Sequence, residues 1–169
     1  MLYLESNCIK KIEGLEELIS LTGLYLQENM IDKIEGLNTL KFLSTLNLSD
    51  NRIKKIENLS DNLKLNTILL KRNFIGQENE DLSGLLELSP SVSVIDISDN
   101  RITNENIIDD YLVKVPGLKV LYLFGNDCTR KIPNYRKTLT FKIKQLRYID
   151  DKPIFDDERR FAEAFGRGG

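Results

Sequence analysis

Residues 2–18, LYLESNCIKKIEGLEEL, return without a gap at 24–40 as LYLQENMIDKIEGLNTL and at 46–62 as LNLSDNRIKKIENLSDN. One asparagine marks each copy. Asn7, Asn29, Asn51 and Asn73 stand 22 residues apart, and the mark comes back at Asn100 and Asn126 after steps of 27 and 26. Apolar residues keep fixed distances from it: Leu43, Leu46, Leu48 and Ile53 surround Asn51 as Val92, Ile95, Ile97 and Ile102 surround Asn100. A period of this length implies like units stacked in one dimension.

Within a unit, alternation sends Leu24 and Leu26 to one side of a short strand and Tyr25 and Gln27 to the other. One unit cannot bury its leucines alone, so copies stack and their strands form a parallel sheet along one edge. Leaving the strand, the chain turns inside the stack, where backbone groups need partners. The recurring asparagine carries both donors and an acceptor for that turn. Asn7, Asn29, Asn51, Asn73, Asn100 and Asn126 are therefore expected to form a structural ladder that binds nothing. The return run Ile9, Ile12, Leu15, Leu18 is too short for a full helix and predicts 3₁₀ or irregular structure. The longer fourth and fifth units predict helices near 79–88 and 104–114. Strands pack closer together than return legs, which bends the stack and places the sheet on the concave side. The pattern L-x-x-L-x-L-x-x-N-x-I/L is that of leucine-rich repeats. The expected fold class is an α/β solenoid of about six such repeats over residues 1–128.

The last part, 129–169, breaks the pattern and is expected to cap the open end. Residues 134–144, NYRKTLTFKIK, predict a helix with Tyr135, Leu139, Ile143 and, just beyond it, Leu146 on one face. LRYID at 146–150 predicts a final strand. DDERRFAEAF then predicts a helix capped by Asp156 or Asp157, with Phe161 and Phe165 covering the leucines of the sixth repeat. Met1 opens almost directly on a repeat strand, so the chain is expected to be part of something longer.

The 22-residue units with their I-E-x-L return legs resemble the Sds22-like class of leucine-rich repeats. IPNYRKT (132–138), LRYIDDKPIF (146–155), RRFAEAFGRGG (159–169) and LNTILL (65–70) resemble the repeat cap and fourth repeat of the axonemal dynein assembly factors. Asp127 departs from that pattern, which has Pro after Gly-Asn. The resemblance implies a non-catalytic cytoplasmic factor for motile cilia and flagella. Such a factor binds axonemal dynein chains, other assembly factors or chaperones while dynein arms are preassembled. Two other readings follow from the repeats: a phosphatase-1 regulatory subunit, and an RNA-associated module like the splicing protein U2A′.

Composition narrows the chemistry. With 24 Lys+Arg against 26 Asp+Glu, the formal charge of −2 argues against a dedicated nucleic-acid or membrane binder. There is no His, which removes His general bases, Ser-His and Cys-His pairs and His-containing metal sites. Cys8 and Cys128 stand in no metal-ligand spacing and suggest no disulfide framework. No apolar stretch approaches the roughly 18 residues of a membrane span, and no signal-peptide pattern opens the chain. No phosphate loop or nucleophile elbow is present, so no enzyme, cofactor, metal or small-molecule substrate is expected.

Two surfaces are candidates for binding. On the concave sheet the outward positions are Tyr3, Tyr25, Asn47, Leu69, Asp96 and Tyr122, flanked by Glu5, Gln27, Ser49, Lys71, Ser98 and Phe124. Large side chains there form a face suited to a protein partner. On the cap, Arg130, Lys131, Arg136, Lys137, Lys142, Lys144 and Arg147 occur with no acidic residue among them. Phe141 is expected opposite the buried face of its helix, beside Lys137 and Lys144. This basic surface could hold an acidic peptide, a tubulin tail or RNA, or be a solvated helix face with Phe141 covered by the Phe155–Phe165 tail.

Overall fold

In a computed structural model, residues 1–76 and 81–167 are described. Their strands are β1 Leu2–Tyr3, β2 Gly23–Tyr25, β3 Thr45–Asn47, β4 Thr67–Leu69, β5 Val94–Asp96, β6 Val120–Tyr122, β7 Tyr148–Ile149 and β8 Lys152–Pro153. They form one sheet in sequence order. Each of the first six pairs in parallel with the next, in strict register: Leu24 with Leu46, Leu46 with Ile68, Ile68 with Ile95, Ile95 with Leu121. These in-register residues are fully buried and form the spine of the core. Each contributes roughly 1.5–3 kcal/mol by leaving water.

The turn after each strand has two parts. The residue before each asparagine lies in the left-handed region: Ser6, Glu28, Asp50, Arg72 and Asp99 at φ 51–58°, and Gly125 at 76°. The asparagine then stitches two units together. Asn51 Nδ2 donates to Leu26 O at 2.9 Å in the preceding unit and to Leu48 O at 3.1 Å in its own, while its Oδ1 accepts the Ile31 N–H at 2.9 Å. Asn29, Asn73 and Asn100 repeat this arrangement, as does Asn126, whose Oδ1 accepts the Ile102 N–H at 3.0 Å. Asn7, on the first rung described, is exposed and donates to Leu4 O and Glu5 O of its own unit.

The return legs stay tight even where the repeats lengthen. In place of a helix near 79–88 there is a 3₁₀ turn at Ser83–Glu87, and the helix expected near 104–114 is shorter, α1 at Ile107–Asp110 followed by a second 3₁₀ turn at Leu112–Lys114. Residues 79–80 lie outside the described part. Pro116 explains the second stop, since the residue before a proline is pushed toward extended backbone and Val115 is extended; the first turn ends at Leu88, which is already extended two residues before Pro90. The legs also pack closely. A Cβ on Gly84 would lie 1.8 Å from Ile56 O, so the fourth leg sits directly on the third only because residue 84 has no side chain.

The C-terminal region holds α2 Asp127–Lys131, α3 Tyr135–Lys142 and α4 Asp156–Arg167. The periodicity had not predicted α2. Asp127 is its first residue, a position that accepts either Pro, with its preset φ, or an acid facing the helix dipole. Leu139, Ile143 and Leu146 are buried against the sixth repeat, with Tyr135 half-buried beside them. Two features differ from expectation. Asp156 and Asp157 are first-turn residues of α4 and not its cap. Phe161 and Phe165 do not cover the core: they are 71% and 47% exposed, and Ala162 is the residue α4 buries. Helix α4 is instead fastened to α3 by arginines. Arg136 binds the Glu158 carboxylate and donates to Ile149 O at 3.0 Å and Pro153 O at 2.7 Å, and Arg159 reaches Thr140 O at 3.1 Å. The sheet ends in a two-residue turn at Asp150–Asp151, after which β8 pairs antiparallel with β7. Pro153 gives that edge one donor fewer, which discourages a further strand.

Candidate functional site

The concave face divides into two parts. At its N-terminal end Tyr3 and Tyr25 stack with ring centroids 4.7 Å apart and planes within 14°. This is a cross-strand pair made by the Tyr3–Tyr25 register. In the middle, Asn47 is occupied locally: its Oδ1 accepts the Ser49 N–H at 3.0 Å. Asp96 is held in the same way by the Ser98 N–H at 3.0 Å and the Ser98 hydroxyl at 2.6 Å. Ser98 itself is fully buried, so that flanking position offers a partner nothing.

Leu69, Tyr122 and Phe124 occupy the C-terminal half. Leu69 and Tyr122 are half-buried, and Phe124 is exposed beneath Lys71, whose Nζ lies 5.2 Å from the ring centroid. Lys71 also reaches Asp99 at 3.7 Å, and Arg72 pairs with Asp50. Strand alternation adds residues that the sequence reading passed over. The step that points Tyr122 outward also points Val120 outward, and the register places Val94, Val120 and Tyr148 in one row. Tyr148 is 44% exposed. Val94, Val120, Tyr122, Phe124 and Tyr148 thus form an apolar area over β5, β6 and β7, edged by charges.

Three of the seven basic residues of the cap surface face the chain's own acids. Arg136 is paired with Glu158, Lys142 with Asp109 at 2.6 Å, and Lys144 with Glu163 at 3.9 Å. These acids come from other parts of the chain, so a local count of charges could not find them. Phe141 is not an open aromatic: it is half-buried against Gly166, where an added Cβ would fall 2.3 Å from its ring. Lys144 Nζ lies over it at 4.5 Å and Lys137 Nζ over Phe165 at 5.6 Å. The exposed aromatics of the cap are Phe155, Phe161 and Phe165. Phe155 and Phe161 edge an open depression of about 800 Å³ with Arg136 and Lys137.

Beneath the concave face, Asp150 Oδ1 accepts the N–H groups of Leu123 at 2.9 Å and Phe124 at 3.1 Å. The Tyr135 hydroxyl lies 3.5 Å from the same oxygen. Burial, and then the Asp150 charge, push the Tyr135 phenol well above its ordinary value. Asp150 and Asp151 therefore serve the sheet end and the turn.

What this surface can do is bind an extended or irregular protein segment, and relatives agree with the architecture. A family model described as leucine-rich repeat matches residues 1–169. The chain belongs to the leucine-rich-repeat family. Among curated leucine-rich-repeat relatives, the human "Dynein axonemal assembly factor 1" is 46% identical over 76 residues, which is 45% of this chain and 10% of that protein. The Anopheles gambiae "Dynein axonemal assembly factor 1 homolog" is 50% identical over 78 residues, 46% of this chain and 8% of the relative. "Leucine-rich repeat-containing protein ODA7" of Chlamydomonas reinhardtii is 40% identical over 79 residues, 47% of this chain and 18% of that one. The matched stretch is thus less than a fifth of each relative's length. A chain of the Drosophila melanogaster SNF/U2A′ complex superposes with a TM-score of 0.74 at 29% identity, covering 99% of this leucine-rich-repeat chain and 94% of its counterpart. Internalin C2 of Listeria monocytogenes shares the fold, with a TM-score of 0.66 over 88% of this chain and 59% of its own.

Proposed function

We propose that this leucine-rich-repeat chain is a non-enzymatic protein-binding scaffold acting in the cytoplasmic assembly of axonemal dynein arms of motile cilia. Its partners would be dynein chains, other assembly factors or chaperones. The observation that carries this is the 46–50% identity, over 76–78 residues, to proteins named for that role in human and mosquito. The apolar area at Val120, Tyr122, Phe124 and Tyr148 supports the concave face as the working surface, with Tyr25 and Leu69 extending it. Aromatic anchors in an interface typically lose about 2 kcal/mol or more of binding when cut to alanine.

The experiment is affinity capture from ciliated cells with the parent and two double variants. Tyr122→Ala with Phe124→Ala should keep the parent's melting temperature and sharply reduce capture of dynein-assembly proteins. Lys137→Glu with Lys144→Glu tests the cap. Loss in the second variant alone would move the interface to the cap.

A second reading is a U2A′-like module, favoured by the superposition over 99% of the chain. It predicts direct binding of an SNF-type protein, measurable with the two purified components. Tight binding there, with no capture of dynein-assembly proteins, would replace the first reading.

A further inference from the structure

Next to the concave face, at the start of β6 and β7, lies a hollow of about 330 Å³ lined by Lys119, Lys144, Gln145, Leu146, Arg147, Ile154, Asp156 and Arg159. Four cations face one carboxylate. Three distant parts of the chain supply the cations, and the fold fixes their positions. The N–H groups of Arg147 and Tyr148 both donate to Lys119 O, at 2.7 and 3.1 Å, so Lys119 and Arg147 are neighbours on adjacent rungs. Arg159 comes up from α4 and is held by two carbonyls, Thr140 O and Leu146 O. These contacts orient the guanidinium without neutralising it. Among the described residues, Lys119, Arg147 and Arg159 form no ion pair, and Lys144 has only Glu163 at 3.9 Å. Of the other cap cations, Arg136 and Lys142 each hold a carboxylate closely, while Arg130, Lys131 and Lys137 do not line this hollow.

Like charges on neighbouring rungs repel and do nothing for folding. A bound anion reverses that cost. We infer that this hollow binds the phosphate of a phosphorylated serine or threonine in a protein segment lying across the sheet. The guanidinium of Arg147 offers a planar fork for phosphate oxygens; Arg159, with Nη1 and Nη2 each already donating to a carbonyl, adds its charge and remaining N–H groups, and Lys119 and Lys144 act as point charges. A phosphorylated side chain carries about −1.5 to −2 charge, which suits three uncompensated cations. A nucleic-acid backbone fits less well. It needs a continuous basic track, and here Asp156 stands in the lining of the hollow itself and Glu163 lies beside Lys144. The inference does not depend on which partner the concave face takes.

The test is an amide-shift titration of the whole chain at constant ionic strength, using a short peptide with one phosphoserine. Its unphosphorylated form, inorganic phosphate and a single-stranded RNA are run alongside. Saturable shifts are expected at Lys119, Leu146, Arg147, Tyr148 and Arg159, strongest for the phosphopeptide. Lys119→Ala with Arg147→Ala should weaken binding about tenfold or more, from lost charge-assisted bonds. Arg130→Ala with Lys131→Ala, on exposed side chains outside the hollow, should leave it unchanged. Absence of saturable shifts, or equal shifts in both double variants, overturns the site. Equal binding of the unphosphorylated peptide or of inorganic phosphate overturns the phosphopeptide assignment, as does tighter binding of the RNA at the same amides.

Discussion

The Asp150 carboxylate accepts the Leu123 N–H at 2.9 Å and so takes the place of a backbone carbonyl just beyond the end of β7. In earlier units the same N–H is satisfied by the next strand's carbonyl, as Leu48 N–H is by Leu69 O and Ile97 N–H by Tyr122 O. Past β6 the chain turns before such a carbonyl can be offered, and the side chain supplies the acceptor. Asp150→Ala should therefore leave the Leu123 and Phe124 donors unpaired and lower stability by about 1–3 kcal/mol. Asp150→Asn keeps an acceptor and tolerates the φ of 56° at this residue, so it should melt near the parent. Equal melting of the Ala and Asn variants, in chemical denaturation, would contradict this.

The ladder should be unequal along its length. Asn51 is buried and makes bonds into the unit before it, whereas Asn7 is exposed and bonds only its own. Asn51→Ala should cost about 1–3 kcal/mol by orphaning buried groups, and Asn7→Ala a fraction of that. Denaturation midpoints of the two variants decide the matter. An Asn51→Ala protein that melted like the parent but lost its partner would give the ladder a binding role.

Helix α4 makes opposite predictions for two adjacent residues. Phe161 is 71% exposed and Ala162 fully buried. Phe161→Ala should change stability by under about 0.5 kcal/mol, and Ala162→Leu should overpack the α3–α4 contact at a cost of about 1–3 kcal/mol. Thermal melts showing the reverse order would mean α4 docks through its phenylalanines.

Tyr135 gives a pH dependence at the alkaline end. Its phenol is raised above the ordinary value of 10.0, chiefly by burial, so the folded chain holds this proton where the unfolded chain has lost it. The unfolded state then binds fewer protons, and stability falls as pH rises above 10. Below that value both states are neutral and the contribution is flat. Tyr135→Phe should show a shallower loss between pH 9 and 11 than the parent, by roughly what one titrating group allows. Parallel slopes would show that Tyr135 ionises freely in the fold.

The close approach at residue 84 gives the steepest structural prediction. Gly84→Ala places a methyl 1.8 Å from Ile56 O, on backbone that neighbouring legs hold from both sides. Loss of more than about 3 kcal/mol, or failure to fold, is expected. A melting temperature near the parent's would mean that the fourth leg can shift away.

Much of this molecule was legible in its sequence because repetition makes local rules global. A repeat that steps by 22 residues and then by 27 and 26 determined the stack, the parallel register, the inward leucines and the outward Tyr3, Tyr25, Leu69 and Tyr122, since alternation along one short strand is repeated along every other. The sequence could not reveal contacts between residues far apart that no period relates. Lys142 with Asp109 depends on how α3 lies beside α1, and Arg136 with Glu158 and the Lys119–Arg147–Arg159 hollow depend on how α4 folds back over α3 and β7. The same fold-back decided that Ala162 is buried and Phe161 exposed. An amphipathic pattern specifies a face to bury but not what it meets, and two arginines reaching backbone carbonyls held the helix more specifically than its phenylalanines.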